Sequence, residues 1–173
     1  MMSKNIIIFG SSGQLGKEFL KNKDFNNKFN VHYFTKKQCD ISDIDQTKKI
    51  FKKIKPIVVI NCAAYTKVDK AEYEKKLANK INHLAVENLA KQSTKYDFML
   101  IHFSTDYVFK GGLSEPFTET DSKDPINYYG YSKHMGEEKI VLNTKKYLIF
   151  RVSWVYGLYG NNFPKKIIEL AKS

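Results

Sequence analysis

Arginine is almost missing from this chain: Arg151 stands alone among 29 basic residues. Proteins that read nucleic acid cluster their cations on one face and use Arg for base edges. The net charge of +11 is nearly all lysine spread along 173 residues. Lysine so dispersed reads as a solvated surface; the other reading is a positive field that favours anionic ligands such as dinucleotides and sugar nucleotides. Cysteine is scarce too, since Cys39 and Cys62 are the only two. Neither sits in a C-x-x-C pair, so both a disulfide framework and a thiol redox pair are excluded. The four histidines show no H-x-x-x-H or H-E-x-x-H spacing, so no metal site is expected.

No run of eighteen apolar residues exists, so no membrane span is expected. The start, Met1 to Lys4, leads directly into Ile6-Ile7-Ile8-Phe9, too short a run for a signal-peptide core. A cytoplasmic protein is expected. With 42% apolar and 27% charged residues the composition is that of a folded domain, and the length suits one core.

Short apolar runs alternate with helical periodicity. Strands are expected at Ile6–Phe9, Val31–Phe34, Ile57–Ile60, Phe98–Phe103 and Tyr147–Val152. Helices are expected over Gln14–Leu20, after a Ser42 cap up to Pro56, and along the Leu77, Ile81, Leu84, Ala85, Leu89 stripe. Two more follow, at Tyr129–Val141 and Asn162–Ala171, and Lys110–Asn127 reads as a surface loop. Strands that are apolar on both faces and alternate with helices build a parallel sheet covered on both sides. The expected fold is α/β: a three-layer, doubly wound Rossmann fold of the NAD(P)-binding kind, occupying 1–173.

Four motifs carry chemistry. Gly10-Ser11-Ser12-Gly13-Gln14-Leu15-Gly16 follows the first strand and opens a helix. Gly10 permits a tight turn, Gly13 close approach of a pyrophosphate, and Gly16 close packing of helix on sheet. The spacing is G-x-x-G-x-x-G rather than G-x-G-x-x-G. The second strand ends Phe34-Thr35-Lys36-Lys37 with no acid to hold a ribose 2′-hydroxyl. Lys36 or Lys37 can meet a 2′-phosphate, which favours NADPH over NADH; two ordinary surface lysines are the other reading. Asp40, followed by Ile41, can accept from an adenine amino group. Tyr129 and Lys133 are four apart and share a helix face, where an ammonium favours a phenolate. With 11 tyrosines the spacing alone arises readily by chance. Ser104-Thr105-Asp106-Tyr107 lies at the carboxyl end of the fourth strand, where open α/β sheets bind ligands.

Taken in order, these motifs resemble an extended short-chain dehydrogenase/reductase family, the dTDP-4-dehydrorhamnose reductases. Asn61-Cys62-Ala63-Ala64-Tyr65-Thr66-Lys67-Val68-Asp69-Lys70-Ala71-Glu72, Ser104 to Phe109, and Arg151-Val152-Ser153-Trp154-Val155-Tyr156-Gly157 carry the similarity, as does Asn162-Phe163. The resemblance implies a catalytic set of Thr105, Tyr129 and Lys133. It implies cofactor contacts from Gly10, Ser12, Gly13, Gln14, Leu15, Lys36, Asp40, Ile41, Ala63, Ala64, Tyr65 and Ser104, besides Tyr129 and Lys133. It places Val68, Tyr107 and Trp154 toward the sugar, although a core aromatic is the other reading of Trp154. The implied reaction is NADPH-dependent reduction of a C4 ketone on a nucleotide sugar.

Lys110 departs from the family's small acidic or amide residue before Gly111. The resemblance also implies further strands and a nucleotide-sugar segment after Ser173, so the 173 residues read as the cofactor-binding part. An uncovered apolar edge would then invite self-association, with a homodimer as the candidate. Other readings remain: a reductase or epimerase for another nucleotide sugar, or a non-catalytic subunit resembling the beta subunit of methionine adenosyltransferase.

Overall fold

A computed structural model describes residues 4–112, 115–160 and 162–172. Five strands lie in one parallel sheet in the order β2-β1-β3-β4-β5: β1 Asn5–Phe9, β2 Asn30–Phe34, β3 Val58–Asn61, β4 Met99–Thr105 and β5 Tyr147–Val152. The order reverses direction at β1, and crossovers on both sides give the doubly wound architecture that the alternating pattern predicts.

Alternation along β1 shows why its run is wholly apolar. Ile7 and Phe9 enter one core with Phe51, Leu89, Phe98, Leu100 and Ile140. Ile6 and Ile8 enter the other, against Phe19, Phe25 and Phe29. Those last three come from α1 Gln14–Lys21, α2 Lys23–Lys28 and the residue capping α2. No sequence signal had marked α2; Asn22 caps it by accepting from the Phe25 N–H. The cap of α3 Ile44–Ile54 is Asp43, not Ser42, because the Asp43 carboxylate accepts from the N–H groups of Asp45 and Gln46. The Ser42 hydroxyl donates to Asp40 instead, at 2.8 Å. Lys55 closes α3 in the left-handed region at φ 50°, and Pro56 follows.

The expected stripe from Leu77 to Leu89 is broken. After α4 Val68–Ala71 and α5 Lys75–Asn79, a π turn at Lys80–Leu84 inserts one surplus residue before α6 Ala85–Tyr96. The buried positions become Ala78, Asn82, Ala85, Val86, Leu89 and Ala90, while Leu77 and Leu84 turn to solvent. These positions still recur three and four residues apart, so the period holds and the expected stripe is wrong in phase at its N-terminal end.

A 3₁₀ turn at Asp106–Val108 ends β4, and α7 Tyr128–Asn143 and α8 Phe163–Leu170 complete the order. The segment between Lys110 and Asn127 forms no helix or strand among its described residues; 113 and 114 lie outside them. It is fastened by Arg151, whose guanidinium donates to the Glu119 carbonyl at 3.1 Å and lies over the Phe109 ring. The same guanidinium forks onto the buried Glu137 carboxylate at 2.7 and 3.1 Å. Breaking a buried pair strands a charge. Glu137→Ala is therefore expected to lower unfolding free energy by about 3 kcal/mol in urea titrations.

The outer side of β5 is bare among the described residues: Leu148 and Phe150 remain about half exposed. No helix among the described residues is long and apolar enough to cross a membrane.

Candidate active site

The carboxyl ends of all five strands open on one edge, and the chemistry-bearing residues gather there. Gly10 ends β1 at φ +78°, and a Cβ on it would come within 2.6 Å of the Ala63 nitrogen. The chain thus passes the segment that follows β3 at a distance only glycine permits. Gly16 presses α1 onto the same turn, its missing Cβ falling 2.3 Å from the Gly10 carbonyl oxygen. Gly13 caps α1 without a side-chain bond, leaving first-turn N–H groups toward the crevice.

Gly10, Ser12, Gly13, Lys36, Asp40, Ile41, Ala63 and Ala64 line one cleft. Those eight cofactor candidates are brought together. Cys39, Cys62 and Ile81 join them, and the sequence reading had not included those three. Burial pushes the thiols up, Cys39 to about 11 and Cys62 to about 12, so both stand protonated and unreactive. Asp40 accepts the Ser42 N–H and O–H on one oxygen, and Lys36 lies 3.9 Å from the other. Burial opposes its charge, but those partners outweigh burial and hold the carboxyl below its usual range.

Three cofactor candidates point their side chains elsewhere. Gln14 donates to the Val155 carbonyl at 2.9 Å and so ties the glycine turn to the segment after β5. Leu15 faces a groove with Glu18, Leu158 and Tyr159. Tyr65 is buried against Ala71 and Ala78, and its hydroxyl donates to Glu74. Only the backbones of Gln14 and Leu15 lie at the turn.

At the end of β4, Ser104 and Thr105 are buried, and the Ser104 hydroxyl has no partner among the described residues. Thr105 accepts the Tyr107 N–H and donates to Asp106, whose other oxygen accepts from Ser153. Asp106 was quoted in the motif without a role; its grip on Thr105 became visible only in three dimensions. α7 delivers Tyr129 from above. Asn127 caps α7 by accepting from Gly130, and the Tyr128 N–H donates to Glu72 at 2.6 Å. Gly130 sits where a Cβ would lie 2.1 Å from the Tyr107 carbonyl oxygen, so helix and 3₁₀ turn meet backbone to backbone. Tyr129 thereby reaches the Thr105 hydroxyl.

One electrostatic expectation is corrected. Lys133 was expected to draw the Tyr129 phenol toward its ionised form. Burial instead raises the phenol above its ordinary 10.0; the Thr105 hydrogen bond lowers it in part, and Asp106 and Tyr107 add to the rise. Lys133 is only 1% exposed and turned inward, donating to the Phe103 carbonyl at 2.6 Å and meeting His102 Nε2 at 3.1 Å.

That burial costs stability. It pushes the Lys133 amine down to about 8 from 10.5, with nearby Glu137 acting the other way. Between those values the unfolded chain holds a proton that the fold has shed, so stability rises with pH across that window. Below pH 8 the full penalty is present. Lys133→Met is expected to stabilise the fold at neutral pH by about 1–2 kcal/mol and to flatten its alkaline slope. Urea midpoints measured across pH check this.

Of the sugar-side candidates, Tyr107 sets its ring edge-on to Tyr129 at 5.9 Å between centroids. Val68 opens α4 on a separate element. Trp154 is no core aromatic: it is 72% exposed, adopts φ +52°, and leans on Phe163.

A glycine turn at the first strand's end, opening a helix over the crevice of a doubly wound sheet, defines a Rossmann-type α/β protein. A UDP-glucose 4-epimerase of Thermus thermophilus, only 19% identical, shares this fold with a TM-score of 0.79 over 88% of the chain and 56% of its own. More specifically, residues 4–173 match the RmlD substrate binding domain, and the chain belongs to that family. It is 41% identical to the dTDP-4-dehydrorhamnose reductase of Salmonella typhimurium over 97% of its length and 57% of the relative's. It superposes with a TM-score of 0.95 and 43% identity on a dTDP-4-dehydrorhamnose reductase from Bacillus anthracis solved in complex with NADP, covering 99% of this chain and 60% of that one. The chain therefore spans little more than half the length of these relatives.

Proposed function

We propose that the chain is the cofactor-binding and proton-donating part of an NADPH-dependent oxidoreductase. Its reaction is reduction of the C4 ketone of dTDP-4-dehydrorhamnose, giving dTDP-L-rhamnose. The observation that carries this reading is the meeting of Thr105 and Tyr129 at the carboxyl end of β4, beside the glycine-lined cleft. The similarity to the Salmonella and Bacillus anthracis reductases supports it.

The residues present fit a dinucleotide. The turn is open at Gly13, where a Cβ would meet only the Gly10 oxygen, the α1 N–H groups suit a pyrophosphate, and the buried Ser104 hydroxyl lacks a partner among the described residues. Lys36, 70% exposed at the cleft, suits a 2′-phosphate and favours NADPH over NADH. The bound cofactor supplies hydride. Tyr129 is the acid: its raised pKa keeps the phenolic proton in place at neutral pH, ready for a developing alkoxide. Thr105, whose one hydroxyl proton goes to Asp106 here, would turn it to the same carbonyl oxygen when substrate is bound. Lys133 would hold the ribose, with its nitrogen drawn from the Phe103 carbonyl that it meets here.

On this reading the protein works on a nucleotide sugar in the cytoplasm, and the bare side of β5 is where a second copy or further chain would pack. Titration with NADPH, followed by fluorescence, is the test. Saturable binding, tighter than for NADH, is expected together with NADPH consumption on adding the sugar nucleotide. Absence of any binding would sink the reading.

A further inference from the structure

Behind Lys133 runs a row of buried polar groups that no step above uses. His102 lies in mid-β4 with 0% exposure, and Asn61 ends β3 with 1%. Asn61 Oδ1 accepts the Ala63 N–H at 3.1 Å, which turns the amide nitrogen toward His102 Nδ1 at 3.2 Å. An amide nitrogen can only donate, so Nδ1 must accept and the imidazole proton sits on Nε2. Nε2–H then faces Lys133 Nζ at 3.1 Å. An amine has a lone pair to receive it; an ammonium does not. The observed arrangement is therefore that of the amine. For Lys133 to take a proton, Nε2 must give up its own, Nδ1 must gain one, and the amide must present oxygen to Nδ1. Asn61 then releases the Ala63 N–H, which belongs to the cleft.

We propose that Asn61, His102 and Lys133 form a coupled chain in which protonation of Lys133 shifts the imidazole proton from Nε2 to Nδ1 and turns the Asn61 amide away from Ala63. Asn61 and His102 are positioning residues: they act through Lys133 and through the cleft backbone. The other charged and titratable groups around Lys133 are Glu137 on its own helix, paired with Arg151 of β5, and Tyr129 with Asp106 behind it. None of them contacts the imidazole. His102 itself stays neutral, burial and the neighbouring Lys133 holding it well below its usual range. The consequence for cofactor rests on the reading above: if the ammonium form binds the ribose, affinity falls tenfold per pH unit above the Lys133 midpoint.

Long-range ¹H–¹⁵N spectra of the imidazole test the chain without any ligand. The Nε2–H form is expected above the Lys133 midpoint of about 8 and the Nδ1–H form below it. The Ala63 amide shift should titrate at the same midpoint. One tautomer on both sides of the midpoint would overturn the proposal. In Asn61→Asp the carboxylate accepts from both Ala63 and Nδ1, so Nδ1–H is expected at every pH; a persistent switch overturns the coupling. In His102→Phe the Ala63 amide should cease to follow Lys133, and an amide that still titrates at the Lys133 midpoint overturns the coupling. If His102→Phe does not fold, the aspartate variant and the wild-type spectra decide alone. Failure to bind NADPH with the switch intact would refute the functional reading and leave the chain standing.

Discussion

Gly16→Ala lowers the unfolding free energy by about 3 kcal/mol and removes NADPH binding with it. The added Cβ meets backbone on every near side: Gly10 oxygen at 2.3 Å, Ser11 Cα at 2.6 Å and Gly10 carbonyl carbon at 2.9 Å. No rotamer relieves a clash with main chain, so α1 must lift off the turn. Lifting it displaces the N–H groups over the crevice and loosens Phe19 from the second core. Gly13→Ala isolates the other half of the effect. Its Cβ would have one neighbour, the Gly10 oxygen at 3.3 Å, so stability should change by less than about 1 kcal/mol. The methyl group would nonetheless stand in the cleft, and affinity should fall. Urea melts and NADPH titrations of both variants separate packing from binding. Equal stability losses at the two positions would refute the assignment.

Tyr129→Phe removes the proposed proton donor and leaves nearly everything else. Turnover with the sugar nucleotide is expected to fall by about a thousandfold, within the range for loss of a positioned acid. Thr105 keeps its bond to Asp106, and the Tyr107 ring keeps its edge-on contact. NADPH affinity should therefore stay within about twofold, because no uniform binding energy is lost. The pH profile adds a sign. A donor must carry its proton, and this phenol ionises above 10.0. Ionisation of Tyr129 therefore causes no loss of rate until the pH passes that value. A variant that keeps wild-type turnover would move the acid elsewhere.

Much of this was legible in one dimension because the governing constraints are local. Ile6–Phe9 is apolar throughout because both of its faces are covered, and a strand followed by spaced glycines announces a turn onto a helix. Tyr147–Val152 was placed to the residue. What escaped was set by contacts between distant segments. The cap of α3 went to Asp43 because Asp40 had already claimed Ser42. Gln14 looked like a cofactor ligand from its place in the turn, yet its amide reaches 141 residues along the chain to Val155. The Tyr129/Lys133 pair was found by spacing, but spacing cannot say where an ammonium turns. Phe103 and His102 decided that, and a lone histidine in an apolar strand gave no periodic signal.

The π turn at Lys80–Leu84 has its own consequence. Asn82 within it grips both the N–H and the carbonyl of Tyr65 and also the Ser132 hydroxyl. The stretch after it is committed to the sheet through Leu89 and Ala90. One end of this rod is thus indexed to the reaction edge and the other to the interior, with a one-residue offset between them. An insertion or deletion of one position would therefore put the two ends out of phase.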